Sequence, residues 1–172
     1  MPVSTINGAS AGSSGTIITT GTTGQVIASG ALPIGSVLQV VSNTFSTQVS
    51  TTSASFTSTG LTATITPKFT TSKILIISST NGNNSSASNA SNWTLFRGTV
   101  AGTNLGNANG MVQHYTVGGS IRTEITLHFL DSPATTSAQI YTLAFNSDNV
   151  GNTAFAQNNA TVASMTLMEI AG

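Results

Sequence analysis

Charged side chains are almost absent from this chain, and their scarcity constrains the fold more than any other feature of the sequence. Of 172 residues only eight are charged, four of each sign. Ser and Thr together occupy 54 positions and Asn another 15. Lys, Glu, Gln and Arg normally cover the exposed faces of soluble helices, whereas Thr, Val, Ile and Phe favour strands. The composition therefore predicts an all-β protein.

The same scarcity of charge argues against several classes of function. The net charge is zero, and the four cations do not cluster: Lys68, Lys73, Arg97 and Arg122. We therefore expect neither nucleic-acid binding nor binding to a membrane surface. The absence of cysteine leaves no disulfide framework or thiolate metal site. With no secretory signal at the N-terminus and no apolar run of about 20 residues, we expect a protein made in a cytoplasm that works without a membrane.

The first 35 residues differ in composition from the rest and are predicted to form an extended N-terminal arm. They are mainly Gly, Ser, Thr and Ala with isolated aliphatic side chains, and no period of two or 3.6 residues persists. An ordered Gly-rich segment normally needs another surface to lie on. We therefore predict that the arm (residues 1–35) packs against a neighbouring subunit, where its backbone can also add to the edge of a sheet.

Residues 36–172 carry the signals of a single β domain. Apolar or alternating runs predict strands at residues 36–42, 61–66, 73–78, 93–97, 111–117, 120–130, 138–145 and 161–170. Residues 73–78 are apolar on both faces, which is typical of a central strand covered on both sides. About eight strands separated by turn signals predict an antiparallel β-sandwich of the jelly-roll type.

Residues 111–130 are predicted to form a hairpin that turns at Gly118-Gly119. The register of that hairpin pairs three sets of residues: Tyr115 with Arg122, His114 with Thr123, and Gln113 with Glu124. One face of the hairpin is predicted to join the core, and it carries Val112, His114, Ile121, Ile125, Leu127 and Phe129. The other face carries Tyr115, Arg122, Glu124 and His128.

Two stretches rich in Asn, Gly and Ser, residues 80–92 and 98–110, exceed ordinary hairpin length and are predicted to be loops. Long loops often carry function, but a tolerated surface excursion explains them equally well. Trp93 begins the strand after the first loop, beside Asn89 and Asn92. Sugar binding by this Trp is one interpretation, although a single Trp in a β protein more often lies in the core.

No catalytic, metal-binding or cofactor-binding residue is predicted. The hairpin register places His114 and His128 on opposite faces, which disfavours a shared metal ion within one subunit, although a symmetry axis remains able to gather one copy from each subunit. A glycosidase needs two carboxylates in one cleft, and the chain has only four acids: Glu124, Asp131, Asp148 and Glu169. Asp131 precedes Ser132-Pro133 and is expected to cap its own turn. Glu124 suits a polar surface cluster.

Several blocks of the sequence resemble virion structural proteins of tailed phages, especially those of cyanobacteria and other aquatic hosts. These blocks are residues 30–41, 61–67 with 72–76, 129–136, and 165–171. The resemblance spans roughly residues 30–172, and its most specific part is the closing Thr-Leu-Met-Glu-Ile-Ala. It implies a non-enzymatic β-sandwich displayed on the particle and transfers no catalytic residue. Residues 80–92 and 98–110 match nothing in that group.

These observations lead to three hypotheses. The first is a homotrimeric capsid decoration (cement) protein of a phage head, which binds its own copies and the major capsid protein or another virion protein. The second is a short tail-fibre or receptor-binding module for a host glycan, with residues 80–92 and 98–110 gathered at the tip distal to the arm and Trp93 or Tyr115 exposed. The third, a glycan hydrolase, requires two of the four acids in one cleft.

Overall fold

The computed structural model describes residues 33–118 and 120–172. The predicted arm lies almost entirely outside the described residues, as does Gly119 of the predicted turn. From Ile34 to Gly172 the chain forms one compact unit. The described residues contain eleven strands and a short 3-10 helix at Asn158–Ala160: β1 (Val37–Phe45), β2 (Val49–Thr51), β3 (Thr57–Ile65), β4 (Lys73–Asn84), β5 (Asn89–Arg97), β6 (Thr103–Asn104), β7 (Val112–Thr116), β8 (Ile121–Asp131), β9 (Gln139–Ser147), β10 (Ala154–Ala156) and β11 (Ala163–Ile170).

The strands pair into two antiparallel sheets that face each other. Sheet A has the order β1-β11-β4-β8, and the short β10 and β2 continue it beside the last residues of β4. Sheet B has the order β3-β9-β5-β7, with the short β6 beside the end of β5. The eight main strands are β1, β3, β4, β5, β7, β8, β9 and β11. When they are numbered 1 to 8 in that order, the strand orders of the two sheets are 1-8-3-6 and 2-7-4-5. This interleaving is the jelly-roll arrangement, and the predicted all-β antiparallel sandwich is confirmed.

The core lies between the sheets and is built from alternate residues of each strand. Sheet A contributes side chains such as Ile76 and Leu167, and sheet B contributes Trp93, Leu143 and Phe145, all of them fully buried. The Trp93 and Phe145 rings stack with their centroids 4.9 Å apart. Because strand residues alternate in direction, each sheet has a second face that does not enter this core.

The prediction of a strand covered on both sides at residues 73–78 is wrong within the single chain. The residues form the first half of β4, and the inward side chains of Ile74 and Ile76 are fully buried. The outward side chain of Ile77 is 40% exposed, and that of Leu75 is only partly buried. The outer face of sheet A is therefore apolar here without being covered by the described residues.

The predicted hairpin at residues 111–130 is also wrong, because its two strands belong to opposite sheets. β7 pairs with β5, so that His114 lies opposite Ser91. β8 pairs with β4, where Glu124 lies opposite Asn81. The predicted faces are nevertheless right for most positions, since His114, Ile125 and Leu127 are buried and the partly buried Val112 and Phe129 pack against the core. Ile121 is the exception at 44% exposure.

The predicted loop at residues 80–92 is largely strand. β4 continues to Asn84 and β5 begins at Asn89, which leaves a four-residue turn at residues 85–88. The Asn84 Nδ2 group donates to the carbonyl oxygens of Asn89 and His114, at 3.2 and 3.0 Å. Backbone acceptors thus satisfy the Asn84 Nδ2 group inside the sandwich, whereas Asn84 Oδ1 has no hydrogen-bond partner among the described residues. This part of the loop prediction is wrong.

Residues 98–110 are mostly irregular, as predicted, but they lie along the sandwich rather than at its tip. After the turn that follows Arg97, the chain runs back beside β5. The backbone N–H groups of Leu105 and Met111 donate to the carbonyl oxygens of Leu95 and Trp93, at 2.9 and 2.7 Å. The segment therefore covers one edge of sheet B.

The two ends of the sandwich are distinct. Gly35 donates its N–H to the Ala171 carbonyl at 2.8 Å, and Ile170 lies opposite both Val37 and Lys73. We call this the arm-proximal end, because residue 34 enters there. The turn at residues 85–88 joins β4 to β5 at the other, distal end. No helix among the described residues is long and apolar enough to cross a membrane.

Candidate functional site

The arm-proximal end holds the one ion pair found among the described residues. Arg97, at the end of β5, places Nη1 3.2 Å from Oδ2 of Asp131 at the end of β8. The Tyr141 hydroxyl donates to the same Oδ2 at 2.7 Å. Burial, with the hydrogen bond to Asp131 and its charge, raises the pKa of Tyr141. Asp131 therefore ties the two sheets together, and the predicted role of capping its own turn is wrong.

Glu169 is a second buried carboxylate at this end. It lies on the inward face of β11 with none of its surface exposed. Its Oε2 accepts from Nε2 of Gln39 at 2.6 Å, and its Oε1 accepts from the Lys68 N–H at 2.6 Å. Burial alone would raise the pKa of Glu169, but these hydrogen bonds outweigh it and hold the pKa below its ordinary value. The carboxylate anchors β1 and the start of the β3 to β4 connection.

The geometry of the acids bears directly on the hydrolase hypothesis. Asp131 and Glu169 both lie opposite Ile74, on either side of β4, which separates their backbones by about 10 Å. The Ile74 side chain is fully buried between them, and each carboxylate is occupied by its own donors. Glu124 accepts from Ser79 on the outer face of β8, and Asp148 follows β9 at the distal end. Two acids thus share a row of the core, but they do not share a cleft.

The two histidines lie on different sheets. His114 points inward from β7 and is 8% exposed, and burial lowers its pKa. His128 lies on the exposed outer side of β8. The prediction that they face opposite ways is confirmed, although its basis in a shared hairpin was wrong. His114 belongs to a buried polar layer at the distal end that also contains Asn84, Asn89 and Thr116.

Trp93 belongs to the core, and the sugar-binding interpretation of it is wrong. The indole is fully buried, and its Nε1 donates to Oγ of Ser91 at 3.0 Å. Tyr115, in contrast, is 55% exposed. The predicted tip of two gathered loops is not formed, because the turn at residues 85–88 is distal whereas the segment from residue 98 starts at the arm-proximal end.

A groove runs along the sandwich edge where β8 and the segment beside β5 approach each other. Its volume is about 410 Å³, and its lining consists of Leu105, Gly106, Asn107, Gly110, Met111, Val112, Thr126, Leu127, His128 and Phe129. Among the described residues β8 pairs on one side only, with β4. The groove contains no carboxylate, and His128 is its only titratable group. It is a cleft beside a strand edge, lined by both apolar and polar side chains.

A second apolar surface lies on the outer face of sheet A and was not predicted from the sequence. Val40, Met168, Leu75 and Leu130 occupy one continuous row across β1, β11, β4 and β8. Ile77 lies in the next row, flanked by Thr166 and His128. We call these five apolar residues the outer patch. Val40, Leu130 and Ile77 are 55%, 49% and 40% exposed. The double-sided apolar pattern of residues 73–78 was the available signal.

The described residues thus define a jelly-roll protein whose buried charges hold its own sheets together and whose surface offers a groove and an apolar patch. No protein-family model and no curated protein matches the chain. Among solved structures, it is similar to a mutant VP2 protein of infectious bursal disease virus from derived T=1 particles, with a TM-score of 0.41 and 13% identity over 79% of this chain and 37% of that one. The VP2 subviral particle of the same virus gives a TM-score of 0.37 and 12% identity over 78% and 38%. The chain spans less than half of those VP2 chains, and at these low TM-scores the similarities assign no function.

Proposed function

We propose that this chain is a virion structural protein, and specifically a decoration (cement) protein on the outer surface of a phage head. The observation that carries the proposal is an eight-strand jelly roll with very few charges, three of which, Arg97, Asp131 and Glu169, are engaged within the fold. Jelly rolls serve as capsid and lectin domains. The sequence blocks that resemble phage virion proteins support the same location.

The partners in this proposal are other copies of the chain, as a homotrimer, and the major capsid protein or another virion protein. A surface built from hydroxyl, amide and apolar groups packs closely against a partner with few charges to desolvate. Its contacts are stabilised by buried apolar area, at about 25 cal/mol per Å². No catalytic residue, metal or cofactor has a role in the proposal.

Antibody labelling of intact particles tests the location. Purified particles of the virus that encodes the chain are incubated with gold-labelled antibody against the recombinant protein and viewed by electron microscopy. We expect gold over the whole head surface. Gold confined to the tail, or no gold on intact particles when disrupted particles react, overturns the decoration proposal.

A receptor-binding module at the tail is the second candidate, and one observation favours it. The distal end, opposite the end at which residue 34 enters, exposes several large side chains, among them Tyr115 at 55%, Val117 at 78% and Val150 at 81%. Aromatic and apolar side chains at a free tip suit contact with a host surface glycan. Binding of the recombinant protein to host cells, lost in Tyr115→Ala but kept in Ile140→Thr, an exposed apolar control, is expected from this candidate. Equal binding by both variants contradicts it.

A further inference from the structure

The outer patch has a gradient that points to one part of the molecule. Along β11 the outward residues change from Ile170 and Met168 near the arm-proximal end to Thr166 and Ser164 further on. The same change occurs along β4, where Lys73 at the end of the sheet is followed by outward Leu75 and Ile77 and then by Ser79. The apolar half of the face is therefore the half where the chain enters the sandwich, and the far half is suited to water.

The size of the outer patch limits what can cover it. Four strands at about 4.8 Å spacing and two rows of side chains give an area on the order of 200–300 Å². A stable interface between two rigid domains buries about 800 Å² on each partner, so the face-to-face contact of two patches is too small. A patch of this size suits a segment that continues beyond it onto other parts of the surface.

The N-terminal segment has the length and chemistry of such a cover. Residues 1–32 contain no Asp, Glu, Lys or Arg, and carry Ile or Val at positions 3, 6, 17, 18, 26 and 27. Thirty-two residues reach up to about 105 Å when extended, which is several times the roughly 20 Å width of a four-strand sheet. The last residues before β1 begin at the apolar half of sheet A, where Ile34 is 85% and Val37 53% exposed. The segment is uncharged and carries scattered aliphatic side chains, and the five residues of the patch are apolar, so neither loses charge hydration on contact.

We propose that residues 1–32 of one copy cover the outer patch of a neighbouring copy. The contact explains why β4 has the double-sided apolar pattern of a buried strand although its outer face is open in the single chain. Each subunit then donates one segment and receives another, which closes into a ring of copies around a symmetry axis. The inference rests on the proposed self-association and identifies the surface that mediates it.

Cysteine cross-linking in the full-length chain tests the contact, because the natural sequence contains no cysteine. One set of variants carries a single cysteine in the segment, at Ile6, Ile18 or Ile27. The other set, with a different affinity tag, carries Leu130→Cys in the patch or Val150→Cys at the distal end as the control. The two sets are mixed under conditions of subunit exchange and equilibrated in a glutathione redox buffer, and mixed disulfides are quantified by mass spectrometry.

We expect at least one segment position to cross-link to Leu130→Cys several-fold more than to the more exposed Val150→Cys. Equal yields at both positions contradict the proposal. Dominant disulfides between two Leu130→Cys chains show that the patch instead covers itself. A further variant carries both Ile18→Cys and Leu130→Cys, and a disulfide that forms within one such chain shows that the segment covers its own sheet. Either result overturns the exchange of segments between copies.

A second measurement separates this contact from folding and from the location on the particle. Leu130→Ser alters an exposed side chain, so the monomer should keep its thermal unfolding temperature while the dissociation constant of the oligomer rises roughly tenfold. Val150→Ser should change neither. An unchanged dissociation constant in Leu130→Ser contradicts the proposal. Antibody labelling does not depend on this residue. If the antibody labels the head and Leu130→Ser leaves the dissociation constant unchanged, the contact is refuted but the decoration role is not.

Discussion

Gly82 is the position where one added methyl group best tests how closely the two sheets are packed. It lies on the inward face of β4, and a β-carbon placed there would lie 2.8 Å from Cζ2 of Trp93 and 2.9 Å from Cγ1 of Ile125. Both neighbours are buried, at 0% and 2% exposure, so neither can move away into solvent. Overpacking of this kind costs about 1–3 kcal/mol.

The substitution Gly82→Ala also restricts the unfolded chain, which offsets about 0.4–1 kcal/mol of that cost. Taking the middle of both ranges, the net loss in the free energy of unfolding is about 1.3 kcal/mol, and the thermal midpoint should fall by about 3–5 °C. Trp93 is the only tryptophan in the chain, so its fluorescence during denaturant unfolding reports directly on the perturbed contact. We expect a lower denaturant midpoint with an unchanged slope.

The matched control is Gly118→Ala, where an added β-carbon meets no atom within 4 Å. It should leave the free energy of unfolding unchanged or raise it by up to about 1 kcal/mol. If Gly82→Ala is as stable as the unmodified protein and the control, the sheets are not packed as described here, and the reasoning from close contacts at Trp93 fails.

Three further predictions follow from the buried polar groups and the uncharged surface. Glu169→Gln should destabilise the protein at neutral pH. Because the folded pKa of Glu169 lies below its ordinary value of 4.5, the difference in stability from the unmodified protein should shrink as the pH falls below 4.5 in denaturant titrations. A stability difference that does not depend on pH contradicts this. Tyr141→Phe removes the donor to Asp131 and should cost about 1.5–3 kcal/mol in the same assay, whereas an unchanged midpoint excludes the inter-sheet tie. Dissociation of the oligomer, followed by sedimentation, should change little between low and high NaCl; a steep loss of association counts against apolar contacts.

The sequence predicted those features of the fold that depend on local pattern. The alternation of Leu61, Ala63 and Ile65, and the inward positions of Ile125 and Leu127, are set by which face of a strand is apolar. That pattern holds whichever strand becomes the neighbour. For this reason the buried faces were mostly right even where the pairing was wrong.

Strand pairing was not predictable for residues 111–130 because it is decided by distant parts of the chain. Gly118-Gly119 has the composition of a tight hairpin turn, but a jelly roll sends the strands on either side of it to opposite sheets. β7 finds its partner in β5 and β8 finds its partner in β4, both of them earlier in the chain. No local signal distinguishes this connection from a hairpin.

The polar residues at the distal end misled the sequence analysis for a different reason. Asn and Gly are depleted in strands, and for that reason the composition of residues 80–92 predicts a loop. In the structure Asn84 bonds to backbone carbonyls across the sandwich, and Asn92 bonds to Asn146 at 3.1 Å. Such partners come from other strands, and composition alone does not reveal them.

The copy number of this chain in purified particles is the measurement that tests its role most directly. Quantitative mass spectrometry with isotope-labelled peptides gives the ratio of this chain to the major capsid protein. A decoration protein occupies equivalent sites over the whole head, so we predict hundreds of copies in a fixed ratio to the capsid protein. A few dozen copies or fewer would contradict the decoration role and favour a component of the tail.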